Sequence, residues 1–218
     1  MSNPMALIAD RLPKVTAEDV RRFADTVVIR DAEAFAAELN VFMQERLECV
    51  ELPANTRHLD AYLANLTWSD RAYHCTAIGA GRALDGITMM AIARGLTLEQ
   101  MAASPGVITI ISVNSPRRFD EAMADGLVTM ARHGQPVVIT PFTLMGAMAP
   151  VTLASALAQQ NAEALFGIVL AQTVRPGTPV MYGAFTSNVD LRSGAPAFGT
   201  PENAKANVAS GQLARRYR

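Results

Sequence analysis

Between Gln135 and Ala171 the chain reads QPVVITPFTLMGAMAPVTLASALAQQNAEALFGIVLA, and this stretch constrains what the rest can form. Pro136-Val-Val-Ile-Thr140 is a short apolar, β-branched run of the kind that makes a buried strand. A loop of small and apolar residues, Pro141 to Ala149, follows it. Pro150 then stands where the first turn of a helix tolerates proline, and a long apolar helical pattern begins. Strand, loop and helix make one β/α unit. Its loop leaves the carboxyl end of the strand, where parallel α/β proteins build their sites.

The unit has neighbours of the same kind. Ala72–Ile78 reads as a strand, followed by Gly79-Ala-Gly81 and a helix through Leu84, Ile87 and Met90 to a C-capping Gly95. Thr97, with Gln100 three residues on, opens a short helix as a capping box. Val107–Val113 is the next strand. Ser115 is placed as N-cap and Pro116 at the first position of a helix over Arg117–His133, closed by Gly134. Pro179–Phe185 is a fourth strand. A long loop, Thr186 to Gly199, leads from it to Thr200-Pro201, which caps a last helix from Glu202 to about Tyr217.

The strand starts recur at roughly 29 to 43 residues, against about 31 per unit in an eight-fold β/α barrel. Strands joined by helices are parallel, with right-handed crossovers. A doubly wound open sheet shares that local pattern. Gly79-x-Gly81 nevertheless lacks the third glycine of a dinucleotide fingerprint, because Leu84 stands there, and no matching acidic residue follows. The expected fold class is therefore α/β, a partial eight-fold barrel of about four units preceded by N-terminal helices. Residues 1–46 are read as the helical segment and 47–218 as the barrel part. In the former, Thr16-Ala-Glu-Asp19 caps a helix continued by Val20, Phe23 and Val27, and a second helix spans about 32–47. A further helix is expected between Pro53 and Thr67.

Composition excludes several functions. The net charge of -1 gives no reason to expect nucleic acid or an anionic membrane. Cys49 and Cys75 make neither a disulfide framework nor a metal-binding spacing. No secretory leader of normal length or membrane span is evident, so a cytoplasmic protein is expected. The only lysines, Lys14 and Lys205, lie off the strands, which argues against Schiff-base chemistry. No carboxylate pair suited to hydrolysis, nucleophile elbow or metal-binding cluster appears.

Several short runs point further. Val50-Glu-Leu-Pro-Ala-Asn-Thr-Arg-His-Leu59, Asn114-Ser-Pro116, Ala149-Pro-Val-Thr-Leu153 and Gln160-Asn-Ala-Glu-Ala164 stand beside Val174-Arg-Pro-Gly177, Ser193-Gly-Ala-Pro196 and Gly199-Thr-Pro-Glu202. Over residues 50–218 the chain resembles the trimethylamine methyltransferase family. The resemblance implies an eight-fold β/α barrel that moves a methyl group from a tertiary or quaternary amine, such as trimethylamine or glycine betaine, to the cobalt of a separate corrinoid protein. Family chains are about twice as long, so this sequence resembles a central piece. The position that holds pyrrolysine in some members would fall beyond Arg218. The alternative is a truncated, non-catalytic remnant of such an enzyme.

A quaternary ammonium carries charge but offers no hydrogen-bond donor, so aromatic faces recognise it. Phe142 and Phe185 each fall at the carboxyl end of an expected strand, as cage walls or as packing. Tyr182, three residues from Phe185, belongs on the other face. His74 is the catalytic candidate, with a near-neutral pKa suited to proton transfer or hydrogen bonding if it is not a structural histidine. Asn114, Thr140, Thr186, Ser187 and Asn188 are candidates to bind a substrate carboxylate or a corrinoid amide edge. Glu163, Gln160 and Asn161 on an apolar helix suggest a polar network. No metal ligand is expected, the corrinoid being carried by a partner protein, and the chain is expected to self-associate.

Overall fold

A computed structural model describes residues 53–68 and 72–217; the helices expected near 16–27 and 32–47 lie outside the described residues. The chain divides into two compact units, Met1–Trp68 and Ser69–Arg218. In the first, helix α1 (Arg57–Trp68) follows a turn in which the Thr56 N–H donates to the Pro53 carbonyl at 3.0 Å. His58 lies edge-on to Tyr62, and both are buried.

The second unit alternates strand and helix. Its elements are β1 (Tyr73–His74), α2 (Ala80–Arg94), α3 (Leu98–Ala103), β2 (Val107–Val113), α4 (Glu121–Arg132), β3 (Val137–Met145) and α5 (Leu153–Val174), then β4 (Val180–Tyr182), β5 (Phe185–Val189), β6 (Pro196–Ala197) and α6 (Pro201–Arg216). β1, β2 and β3 are parallel neighbours in chain order, and β4 and β5 both run parallel to β3. A doubly wound sheet reverses its strand order at a switch point. These strands do not reverse, which is the order of a barrel, so the expected partial β/α barrel is what the chain forms.

β4 and β5 are two parts of one strand. Val137 faces Val180 and Phe142 faces Phe185, the same offset on both sides of the break. Pro141 explains the break. On β3 the odd-numbered residues bond toward this neighbour, as the Gly183 N–H donating to the Ile139 carbonyl shows. Pro141 is the next odd residue and has no N–H to give. Gly183 is needed there as well, since a Cβ would lie 2.7 Å from the Ile139 carbonyl oxygen.

The two faces of the sheet differ. Val107, Thr109, Ile111 and Val113 of β2 are buried, while Ile110 between them is 51% exposed. Ile139 faces α5, where a Cβ on Gly167 would lie 2.7 Å from its Cγ2. The odd residues of β2 and β3 therefore pack under helices. The even residues, together with His74, Met181 and Phe185, make the opposite face, which is the inner face of a barrel.

Several boundaries differ from expectation. β3 runs through Pro141 to Met145, well past Thr140, because the ladder to β5 resumes at Phe142. α5 begins at Leu153, not at Pro150, because the Thr152 Oγ1 accepts from the Ser155 N–H and caps it there. α4 begins after Asp120, whose Oδ1 accepts from the Met123 N–H at 2.8 Å. Arg117 has φ 55, outside the helical region, so the helix cannot start at Ser115–Pro116. The strand over Ala72–Ile78 keeps only two regular residues, because the Ala77 and Ile78 N–H groups bond back to the Cys75 and Thr76 carbonyls. The loop expected from Thr186 is strand as far as Val189, and β6 pairs back on it antiparallel.

Candidate functional site at the carboxyl ends of the strands

The residues that converge lie at the carboxyl ends of β3 and β5. Phe142 and Phe185 are in register and their rings stack, with centroids 5.0 Å apart and planes 19° from parallel. Phe198, on the loop into α6, adds a third ring against Phe185 at 5.0 Å and 63°. Phe185 is 38% exposed and Phe198 55% exposed, so the cluster opens to solvent. Phe185 is thus packed by both Phe142 and Phe198, and solvent reaches what remains uncovered of Phe185 and Phe198.

Polar candidates sort by face. Thr140 shares the inner face with Phe142, two residues before it, beside Gly183. Asn114 follows Val113, which is paired with Pro141, so one further step of register brings Asn114 level with Phe142. Asn114 is exposed, and its main chain closes a turn with Arg118 through bonds of 2.7 and 3.2 Å. Thr140, Phe142 and Phe185 thus share one face, and Asn114 stands one residue past the end of the β2–β3 ladder.

Thr186 and Ser187 are placed differently. Thr186 is 1% exposed, its Oγ1 donates to the Gln160 Oε1 at 2.6 Å, and it also hydrogen-bonds Thr143. Ser187 donates to the Ala197 carbonyl, tying β5 to β6. The Asn188 Oδ1 accepts from Thr200 at the α6 N-cap. All three hydroxyl or amide groups bond within the fold.

His74 shares the inner face but pairs with Ile108, six residues before the level of Asn114. That is about 20 Å along the strand at ~3.3 Å per residue. Its Nε2 accepts from the Ile110 N–H at 3.3 Å, which places a proton on Nδ1. The histidine and the phenylalanines are therefore separate.

Behind the cluster lies a buried network on α5. Gln160 donates to the Tyr182 hydroxyl and to Ser210, and accepts from Thr186. Tyr182 donates to the Asn161 Oδ1, and Asn161 donates to the Tyr217 hydroxyl. Tyr182 thus faces the helices, as its spacing from Phe185 requires. Burial raises the Tyr182 pKa above that of an ordinary phenol, the Gln160 hydrogen bond acting against it.

Two groups of residues were harder to see in the sequence. Phe198 joins the aromatic cluster only because β6 folds its loop back on β5. Ser115, read as an N-cap, instead donates to the Glu163 carboxylate at 2.6 Å. Among the described residues no group of three or more His, Cys, Asp or Glu is placed to hold a metal ion, and no helix is long and apolar enough to cross a membrane.

Residues 13–218 match the trimethylamine methyltransferase family. The chain is 38% identical over 167 residues to the glycine betaine methyltransferase of Desulfitobacterium hafniense (strain Y51), covering 77% of this chain and 35% of that protein. It is 34% identical over 113 residues to the proline betaine:corrinoid methyltransferase of Eubacterium limosum, covering 52% and 23%. It is also 34% identical over 119 residues to the trimethylamine methyltransferase MttB of Methanosarcina barkeri (strain Fusaro / DSM 804), covering 55% and 24%. The chain spans about a third or less of the length of these relatives.

Proposed function

This chain belongs to the trimethylamine methyltransferase family, and from that premise we propose that it binds a tertiary or quaternary methylated amine at the Phe142–Phe185–Phe198 cluster for methyl transfer to the corrinoid of a partner protein. The observation that carries the reading is the stack of Phe142 on Phe185 at the carboxyl ends of parallel strands. A methylammonium group is a diffuse cation without donors when quaternary, and ring faces attract it without demanding a hydrogen bond.

Each residue has a limited task. Phe142 and Phe185 wall the ammonium and keep water from it, and Phe198 closes the side nearest the α6 loop. Asn114, level with them, offers an amide N–H to a carboxylate if the amine carries one. Thr140 contributes a hydroxyl on the same face. Thr186, Ser187 and Asn188 act indirectly, holding β5 through their bonds to Gln160, Ala197 and Thr200.

The chain's chemistry fits a corrinoid carried by another protein. Support comes from the relatives, one of which is a proline betaine:corrinoid methyltransferase. When bound, the corrinoid would supply a low-valent cobalt nucleophile able to accept a methyl group; a quaternary ammonium then leaves as the neutral tertiary amine with the C–N electron pair, and a tertiary amine leaves as the neutral secondary amine only when it is bound protonated. The protein positions and desolvates, and the cofactor carries the reaction. His74, distant along the strand, takes no part in holding the ammonium.

The test is the loss of cob(I)alamin absorbance under anaerobic conditions with trimethylamine, glycine betaine or proline betaine. A rate above the protein-free control supports the proposal. Rates equal to the control with all three favour the non-catalytic reading.

A further inference from the structure

We infer that Glu163 is a positioning residue: from α5 its carboxylate holds the turn after β2, and with it Asn114, in place at the mouth of the site. The inference rests on the reading of Asn114 given above. Glu163 is 3% exposed. Its Oε2 accepts from the Ser115 hydroxyl at 2.6 Å. Its Oε1 accepts from the Arg117 main-chain N–H at 2.7 Å and from the Gln159 Nε2 at 3.0 Å. A carboxylate at this depth needs such donors to offset its lost hydration.

What the donors belong to matters more than their number. Ser115 and Arg117 lie within the five-residue turn that Asn114 and Arg118 close on each other. Gln159 also donates to the Met148 carbonyl at 3.0 Å, in the turn after β3. The Glu163 carboxylate, through Gln159, therefore links the turns that follow β2 and β3. A serine hydroxyl and a main-chain amide fix the turn at two points, which sets where Asn114 stands relative to the rings.

Backbone strain adds to this. Arg117 is the non-glycine residue at positive φ among the described residues, at 55°. That conformation persists only where the surroundings impose it. The Arg117 N–H is the group Glu163 holds. Without the carboxylate, the turn loses the bond that keeps this residue in place.

The test uses the full chain with the variants Glu163→Leu, Glu163→Gln, Asn114→Ala and the double variant Glu163→Leu/Asn114→Ala. Calorimetry reads the affinity for glycine betaine, which has a carboxylate, and for tetramethylammonium, which has none. Glu163→Leu is expected to weaken glycine betaine roughly 10-fold, as losing one charged-group contact does, and tetramethylammonium less than about 2-fold. Asn114→Ala should do the same, and the double variant should lose no more than either alone. Glu163→Gln keeps an oxygen for the Arg117 N–H and should restore most of the affinity. Should Glu163→Leu fail to fold, Glu163→Gln and its double variant with Asn114→Ala replace it, with a smaller loss again expected not to add to that of Asn114→Ala. Equal weakening of both ligands, or losses that multiply in the double variant, would overturn the inference.

Hydrogen exchange supplies a readout independent of any ligand. The amides of Asn114, Ser115, Arg117 and Arg118 should exchange roughly 10-fold faster in Glu163→Leu, or to a lesser degree in Glu163→Gln, while those of β2 stay protected. Unchanged exchange in that turn sinks the positioning role whatever the ligands do. Failure of the wild-type chain to bind either amine, with the turn loosened as expected, instead counts against the amine site and leaves Glu163 as the holder of the turn.

Discussion

Phe142 lies directly across from Phe185 in the β3–β5 ladder, and the two rings stack 5.0 Å apart. Phe185 is exposed on the face away from the helices, so its ring is not there to fill the layer between sheet and helices. Phe185 is exposed and Phe142 half-buried, and the amine site proposed above draws on their ring faces.

Removing one ring should therefore weaken amine binding without unfolding the chain. Phe142→Leu and Phe185→Leu are each expected to cost about 0.5–1.5 kcal/mol of tetramethylammonium affinity, several-fold in Kd. The melting temperature should move little for Phe185→Leu, because leucine retains much of the apolar contact. Calorimetry on both variants checks this, and wild-type affinity in both would remove the aromatic site from consideration.

Gln160 joins β4, β5, α5 and α6 through one buried amide. Leucine at this position would leave the Thr186 and Ser210 hydroxyls without their partner on α5. Thr186 keeps its bond to Thr143 and Ser210 its bond to the Ala206 carbonyl, so each lost bond costs about 0.5–1.5 kcal/mol. Gln160→Leu is thus expected to lower the urea midpoint strongly, and Ser210→Ala less so, since Ser210 also donates within its own helix. A midpoint unchanged in Gln160→Leu would show that the network contributes nothing to docking α6.

Tyr73 predicts an alkaline loss of stability. It is 4% exposed, and its hydroxyl donates to the Gly86 carbonyl at 2.7 Å. Burial, aided by the neighbouring Cys75, raises its pKa well above that of a free phenol. The folded state then holds this proton more tightly than the unfolded chain, whose tyrosine titrates near pH ~10. The contribution is complete below that pH and is lost as the pH rises beyond it. Thermal melts between pH 8 and 11 should fall more steeply for wild type than for Tyr73→Phe. Parallel curves would mean that the residue ionises without opposing the fold.

The strands and helices of this second unit were legible because each carries local signals. The Thr97–Gln100 capping box, Gly95 at φ 63 and the Thr200-Pro201 helix start all act within a few residues, and all are found where the sequence places them. The turn after β2 was not legible in the same way. Ser115–Pro116 looks like a helix start until Glu163, 48 residues away, takes the serine hydroxyl. Pro141 reads as a strand end, yet its missing donor interrupts only the neighbouring ladder. Phe142 and Phe185 could be foreseen from their own strands, whereas Phe198 depends on a fold-back of β6 that no local pattern announces. Long-range partners decide these cases, and spacing along the chain does not contain them.

Two helical glycines test the packing with opposite signs. Glycine inside a helix costs about 1 kcal/mol relative to alanine, so alanine should stabilise wherever a methyl fits. At Gly211 a Cβ would meet only the Arg215 guanidinium, at 3.8 Å, and Gly211→Ala is expected to raise stability by up to that amount. At Gly126, on α4, the Cβ would lie 1.8 Å from the Ala77 carbonyl oxygen and 2.8 Å from its carbon. That contact is main chain, in the segment after β1, and relief requires moving the helix away from it. Such overpacking costs typically about 1–3 kcal/mol, more than the helix gains. Gly126→Ala should therefore melt lower than wild type and Gly211→Ala higher, measured under one set of conditions. If both rise, α4 does not pack against Ala77 as closely as its backbone contact requires, and the seating of the first β/α unit against the second must be redrawn.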